Sequence, residues 1–307
     1  QRDWGTFKGK LDEFSSDVDR DFKKTYDEML DEVINELDKG KLKNKLSIEK
    51  NVLPVRKLIL AGDDVSFVCD GRIGLECAGI FLKKLSKKVN GADGKKYTAA
   101  AGVCIVHAKF PFYRAYNIAE GLCKNAKSFI AGEKRDGCAI DWHIEYGEME
   151  DSIKDIKRDY IAKDGTNLML RPYFVGCKDE KISYENFRRL VIKFQEERKK
   201  RDMDMSRGKM KGLRDALRQG EVAAGRYIVS NRIRDIYITP MEEYNNFLEN
   251  REGSIGLKEM ESVVKSMYIE KSEAGSKKEK KCILFDPVEI MDTFIAIEGG
   301  IWNEDQN

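Results

Sequence analysis

Apolar residues recur early in the chain at steps of mostly four and three: Phe14, Val18, Phe22, Tyr26, Leu30, Val33, Ile34 and Leu37. That spacing predicts an amphipathic helix over 14–37, with Gly40 as a natural stop. A polar connector follows over 41–51. The pattern then shortens to two runs rich in branched residues, 55–60 and 65–68, which predict a pair of buried strands. The short gap between them holds Gly62, so the pair reads as a β-hairpin. Ile73, Leu75, Ala78, Phe81, Leu82 and Leu85 return to a helical rhythm, with Asp70 placed to cap it. A turn at 90–94 leads into a buried strand over 97–107. Pro111 marks a helix start, and Phe112, Ala115, Tyr116, Ala119, Leu122, Cys123, Ala126 and Phe129 lie on one face of that helix. The next strand is 138–144.

The order is helix, hairpin, helix, strand, helix, strand. One more strand ahead of the first helix would complete a ferredoxin-like (RRM-like) βαββαβ arrangement, an antiparallel sheet with helices on one face. That first strand is missing from the pattern: residues 1–13 hold no apolar run long enough to supply it. After residue 150 the character changes. A short strand at 168–175 precedes helical patterns over 184–201, 209–219, 222–231, 241–248 and 257–267. A charged loop over 271–281 and a mixed tail over 283–294 complete it. The fold class expected is therefore α+β, with a sheet domain over 1–150 and a mostly helical extension over 151–307 packed on it.

Composition narrows this reading. Hydrophobic residues make up 41% and charged residues 36%, which describes a packed core under a charged surface and excludes a disordered chain. The net charge of +2 gives no bulk argument for a nucleic-acid or membrane partner. No stretch approaches the roughly 20 apolar residues of a membrane span. Gln1-Arg2-Asp3-Trp4 does not open like a signal peptide. The seven cysteines form no Cys-x-x-Cys pair and read as reduced thiols of a cytoplasmic protein.

The candidate chemistry lies in the hairpin turn, Gly62-Asp63-Asp64. Nucleotidyl transfer needs divalent cations that neutralise phosphates and activate a hydroxyl. Magnesium takes hard oxygen ligands, commonly one or two carboxylates with phosphates and water. Adjacent side chains on a strand point to opposite faces, but a tight turn breaks the alternation and lets Asp63 and Asp64 approach one Mg2+ or Mn2+ ion. Gly62 leaves room for substrate or an unusual backbone angle. The alternative is a plain turn, since glycine and aspartate are turn formers. Arg114 lies near a helix start, where phosphate binding and a surface ion pair are both open, and Arg72 faces the same choice. His107 and His143 both end strands and read as buried imidazoles. Glu289 and Asp292, three apart, read as capping or solvated groups. The basic run 198–201, with Arg207, Lys209, Lys211, Arg214 and Arg218, gives weak support for RNA, because acidic neighbours dilute it and stacking aromatics are absent.

Several segments together carry a resemblance. They are Ala61-Gly62-Asp63-Asp64-Val65, Phe67-Val68-Cys69-Asp70-Gly71-Arg72, His107-Ala108-Lys109-Phe110-Pro111-Phe112-Tyr113-Arg114-Ala115, Ala119-Glu120 with Ala126-Lys127, Ile140-Asp141-Trp142-His143-Ile144, Leu170-Arg171-Pro172-Tyr173 and Phe285-Asp286-Pro287-Val288-Glu289-Ile290-Met291-Asp292. In this order they resemble the palm (polymerase/cyclase) domain of the large subunit of type III CRISPR effector complexes, most of all its stand-alone second-palm-domain proteins. The resemblance implies a fold shared with nucleotide cyclases, an ATP-like nucleoside triphosphate as substrate, two magnesium or manganese ions, and a place in antiviral defence signalling. It implies that Asp63 and Asp64 are the metal-binding, catalytic pair and that Lys127 reaches the triphosphate, a solvated helix lysine being the other reading. Gly62 and Arg114 complete the nucleotide-binding set. Ala61 stands where the family has a first glycine. The family's first strand, with a further metal-ligating aspartate, has no counterpart, and Asp3 is the nearest acid. A catalytically inactive palm that binds nucleotide or scaffolds an assembly is the alternative function, and protein partners or a homo-oligomer stay open.

Overall fold

A computed structural model describes residues 4–46, 48, 52–133, 136–147, 153–177, 182–200, 207–231, 267–271, 279–298 and 300–302. The helix expected at 241–248 lies outside these residues, as does nearly all of the one at 257–267. The chain is α+β and divides into two compact units. The first comprises Gln1–Tyr146, Phe174–Gly176 and Phe294–Asn307, and the second Gly147–Tyr173 and Cys177–Thr293. The first unit thus combines the chain up to Tyr146 with two later segments.

In the first unit, α1 (Trp4–Asp38) runs for 35 residues. It buries Phe22, Tyr26, Met29 and Val33, the spacing of one helical face. These meet α3 (Gly71–Ser86), where Phe22 packs edge-on against Phe81 with ring centroids 5.9 Å apart. Lys84–Glu32 and Lys88–Glu28 ion pairs at 2.9 and 3.1 Å line the same seam. Asp70 caps α3 by accepting from the Arg72 amide at 3.0 Å, as the sequence implied. The connector after α1 forms a short helix, α2 (Lys41–Leu46). Apolar positions on several sides of α3 are buried. The Ile295 amide donates to Arg72 O and the Ile297 amide to the buried Glu76 carboxylate, so the returning C-terminal strand of chain lies along it.

Strands β3 (Ala99–Ile105) and β4 (Cys138–Ile144) pair in parallel, Ala99 with Cys138 through Ile105 with Ile144, and β5 (Tyr173–Val175) adds to the far side of β4. An antiparallel sheet was expected. The parallel pairing follows from α4 (Phe112–Gly132), a crossover helix that returns the chain to the end where β3 began. Helices on one face were also expected. Successive residues of β3 point to opposite faces. A Cβ on Gly102 would meet α4, whereas the Val103 side chain faces Gly74 of α3. The two helices therefore cover opposite faces. Gly102 is what allows α4 to lie so close: a Cβ there would sit 2.0 Å from Ala119 O and 2.4 Å from the Cys123 amide nitrogen.

The hairpin, β1 (Val55–Ala61) and β2 (Asp64–Cys69), is a two-stranded sheet of its own. Its strands were expected to be buried. Only Val55 is buried on β1, and Leu58, Ile59 and Val68 are exposed, because no further strand pairs with the hairpin among the described residues. The same holds for the outer edge of β3.

The second unit holds α5 (Ile153–Asp159), α6 (Tyr184–Lys200), α7 (Arg207–Gln219), α8 (Glu221–Ser230), the strand pair β6 (Tyr268–Lys271) and β7 (Glu279–Cys282), and α9 (Phe285–Ile290). The strand expected over 168–175 is confined to its last three residues, since the preceding amides are taken elsewhere. Leu170 and Arg171 donate theirs to the Asp286 carboxylate at 3.1 and 3.0 Å. The stretch expected as a loop over 271–281 begins and ends in the antiparallel β6–β7 pair. At the centre of this unit the fully buried Arg171 guanidinium meets the Asp286 carboxylate and, at 3.3 Å, that of Glu289. Tyr173 and Tyr160 donate their hydroxyls to Asp286 and Glu289 at 2.7 and 2.6 Å. Among the described residues, no helix is long and apolar enough to cross a membrane.

Candidate functional site

The turn of the β1–β2 hairpin is built from two residues, Gly62 and Asp63, closed by the Ala61–Asp64 pair. Gly62 takes a φ of 59°, the positive value that two-residue hairpin turns need at their first central position. A register shift between Lys57 and Ile59 puts a bulge in β1 at Leu58, which increases the local twist leading into the turn.

Asp63 and Asp64 are both exposed at this tip. Neither carboxylate has a hydrogen bond or an ion pair among the described residues, so both remain available to an external cation. The turn is held from behind by a residue that the sequence reading missed. Asp19 of α1 accepts from the Gly62 amide at 3.0 Å and pairs with Lys23 at 2.7 Å. The Lys23 hydrogen bond, then the Gly62 amide, holds the Asp19 carboxyl below its ordinary pKa. Asp19 is thus an anion already committed to fixing the turn. Its part was not legible in the sequence, where it is one of three aspartates in Asp17-Val18-Asp19-Arg20-Asp21 and looks like any solvated helix acid.

Lys127 is exposed on α4, one turn beyond Cys123. The Cys123 thiol donates to Ala100 O at 3.3 Å and is raised in pKa by burial first; Lys127 pulls it down and Asp64 pushes it up. Arg114 lies apart from Lys127. It lies in the first turn of α4, about 20 Å along the helix from Lys127 at 1.5 Å per residue.

Other candidates are committed elsewhere. Arg72 clasps Asp70 through Nε at 2.9 Å and Nη2 at 2.7 Å, and donates to Lys45 O at 2.9 Å, which makes it an ion-paired loop clamp. His143 is buried with Glu145 Oε2 at 3.9 Å from its Nε2. His107, expected to be buried, is exposed, because β3 ends before it and its Nδ1 accepts from the Lys109 amide at 3.3 Å in the following turn. Glu289, expected at the surface or a cap, is buried on Arg171, while Asp292 pairs with Arg198. In the basic stretch, Arg218 lies near Asp215 at 3.8 Å and over the Phe285 ring at 5.5 Å.

Two hard, unengaged carboxylates suit an ion that draws its remaining ligands from water and phosphate. Among the described residues, no group of three or more His, Cys, Asp or Glu side chains is disposed to hold a metal. No family model matches the chain, and no curated protein matches it.

Proposed function

We infer that the first unit is a palm-type core for metal-dependent nucleotidyl transfer or cyclisation of an ATP-like nucleoside triphosphate, of the CRISPR-associated kind used in antiviral defence signalling. One observation carries this reading: a two-residue turn anchored by Asp19 presents two adjacent carboxylates that have no partner among the described residues. Asp63 and Asp64 would hold a magnesium or manganese ion. When bound, such an ion neutralises triphosphate charge and makes a ribose hydroxyl a better nucleophile. In the transfer, the hydroxyl oxygen bonds to the α-phosphorus as the bond to the β-phosphate bridging oxygen breaks; pyrophosphate leaves and the hydroxyl proton passes to solvent. Asp19 keeps the turn in one conformation, as preorganisation requires. Lys127 pairs with the phosphates as a point charge. Gly62 keeps the approach free of a side chain.

A second reading has its own support. The hairpin and β3 do not join in one sheet, and no third ligand is grouped at the tip among the described residues. Both features suit a palm that binds nucleotide or scaffolds an assembly without turning it over.

Incubation of the chain with manganese and each labelled nucleoside triphosphate separates the two. Release of pyrophosphate with a cyclic or linked product, abolished in Asp63→Ala/Asp64→Ala, supports the enzyme. Product formation that survives in the double variant refutes the assigned site. Metal-dependent nucleotide binding without product supports the scaffold.

A further inference from the structure

The side of α1 that meets the hairpin carries a cation as well as Asp19. Asp19, Lys23 and Tyr26 follow at steps of four and three, so they share one side of the helix. The hairpin lies against that side. Asp19 accepts from the Gly62 amide at 3.0 Å, and the Tyr26 ring stands 6.0 Å from that of Phe67 on β2. Between them, Lys23 places its Nζ 2.7 Å from Asp19 Oδ2, while Asp19 Oδ1 holds the turn. The ammonium is thus one carboxylate away from the backbone of the turn. Arg20, the neighbouring cation on α1, is committed elsewhere, to Asp17 at 2.6 Å and Asp21 at 3.4 Å.

A triphosphate at the tip changes the charge balance there. Asp63 and Asp64 already supply carboxylates, and the phosphates add more negative charge than one divalent ion neutralises. A positive group beside that excess is drawn to it. Lys23 suits the task in kind, because its ammonium is a compact charge on a flexible stem with rotatable donors. Its side chain is 49% exposed. A pair between exposed groups contributes little to stability, so Lys23 exchanges a carboxylate oxygen for a phosphate oxygen at little cost to the fold. Asp19 meanwhile keeps its bond to the Gly62 amide. We propose that Lys23 binds a phosphate group of the nucleoside triphosphate at the hairpin tip, an inference that rests on the metal-and-nucleotide reading of that tip.

Titration calorimetry of the full chain tests this with three probes: manganese alone, manganese with inorganic tripolyphosphate, and manganese with a non-hydrolysable ATP analogue. Lys23→Gln should weaken both phosphate probes by roughly tenfold and leave manganese alone bound as before. Lys23→Arg, which keeps the charge, should retain most of the affinity. Lys24→Gln, on another side of α1, should change none of the three. A purely structural role for Lys23, acting through Asp19 on the turn, would weaken manganese alone to the same degree, and that result overturns the proposal. Equal phosphate affinity in the parent and in Lys23→Gln overturns it too, while leaving the metal reading of the tip standing. A parent chain that binds neither manganese nor either phosphate probe removes both.

Discussion

Replacing Gly102 with alanine adds one methyl group where β3 and α4 lie closest. The new Cβ would stand 2.0 Å from Ala119 O, 2.4 Å from the Cys123 amide nitrogen and 2.9 Å from Leu122 Cβ, against 3.4–4 Å for ordinary contact. Two of these three atoms are helix backbone, so no rotamer change relieves the clash. The helix must withdraw from the strand by roughly 1 Å or more, in an interior packed too densely to absorb it. Overpacking of this kind costs about 1–3 kcal/mol, and a backbone collision belongs at the upper end of that range. Gly132, at the other end of α4, is the control. A Cβ there meets nothing within 4 Å, and alanine is worth up to about 1 kcal/mol more than glycine in a helix. Urea unfolding followed by circular dichroism should show Gly102→Ala destabilised by about 3 kcal/mol and Gly132→Ala unchanged or slightly stabilised. The withdrawal also moves Lys127, which α4 carries. A displacement of about 1 Å costs on the order of a hundredfold in a positioned reaction, so any transfer activity that survives folding should fall steeply. A Gly102→Ala protein within about 0.5 kcal/mol of the parent would refute the close contact on which this reasoning depends.

Three further outcomes are expected. Asp286→Asn weakens the acceptor shared by two backbone amides, Arg171 and Tyr173; breaking a buried pair costs about 3–5 kcal/mol, which calorimetry should read as a melting temperature lower by on the order of 10 °C. Asp70 is held below the usual carboxylate pKa first by the side-chain hydrogen bond from Arg72. Its stabilising contribution is therefore complete above the unfolded value of about 3.9 and lost as pH falls through the lower folded value. Urea midpoints across this range should show an Asp70→Asn deficit at neutral pH that closes below about pH 4. Asp19→Ala removes the acceptor of the Gly62 amide, so hydrogen exchange at Gly62 should quicken and metal affinity should fall while the melting temperature holds.

Local chemistry made much of this legible. The hairpin was readable because two β-rich runs flank a glycine, α3 because Asp70 stands where a cap belongs, and β4 because 138–144 is a short run rich in apolar residues. What was not legible depends on partners far away in sequence. The exposure of β1 follows from the lack of a third strand beside the hairpin among the described residues, which its own residues do not encode. The segments around Arg171 and Asp286 were conspicuous separately, but only folding brings their side chains together across 115 positions. β7 was hidden because Glu279, Lys280 and Lys281 have a loop's composition, and its pairing comes from β6 and from Asn167. The helix over 4–13 was missed because its apolar stripe packs on nothing among the described residues. At the candidate site, Asp63 and Asp64 were found from their spacing, whereas Asp19 acts from another element and carries no local mark.

The account stands on the two tip carboxylates sharing a divalent cation. The most direct measurement is manganese binding by electron paramagnetic resonance, with a non-hydrolysable ATP analogue, in the parent chain and in Asp63→Asn/Asp64→Asn. The account predicts saturable binding in the parent that the paired substitution abolishes without lowering the melting temperature. Equal binding in both proteins would contradict it.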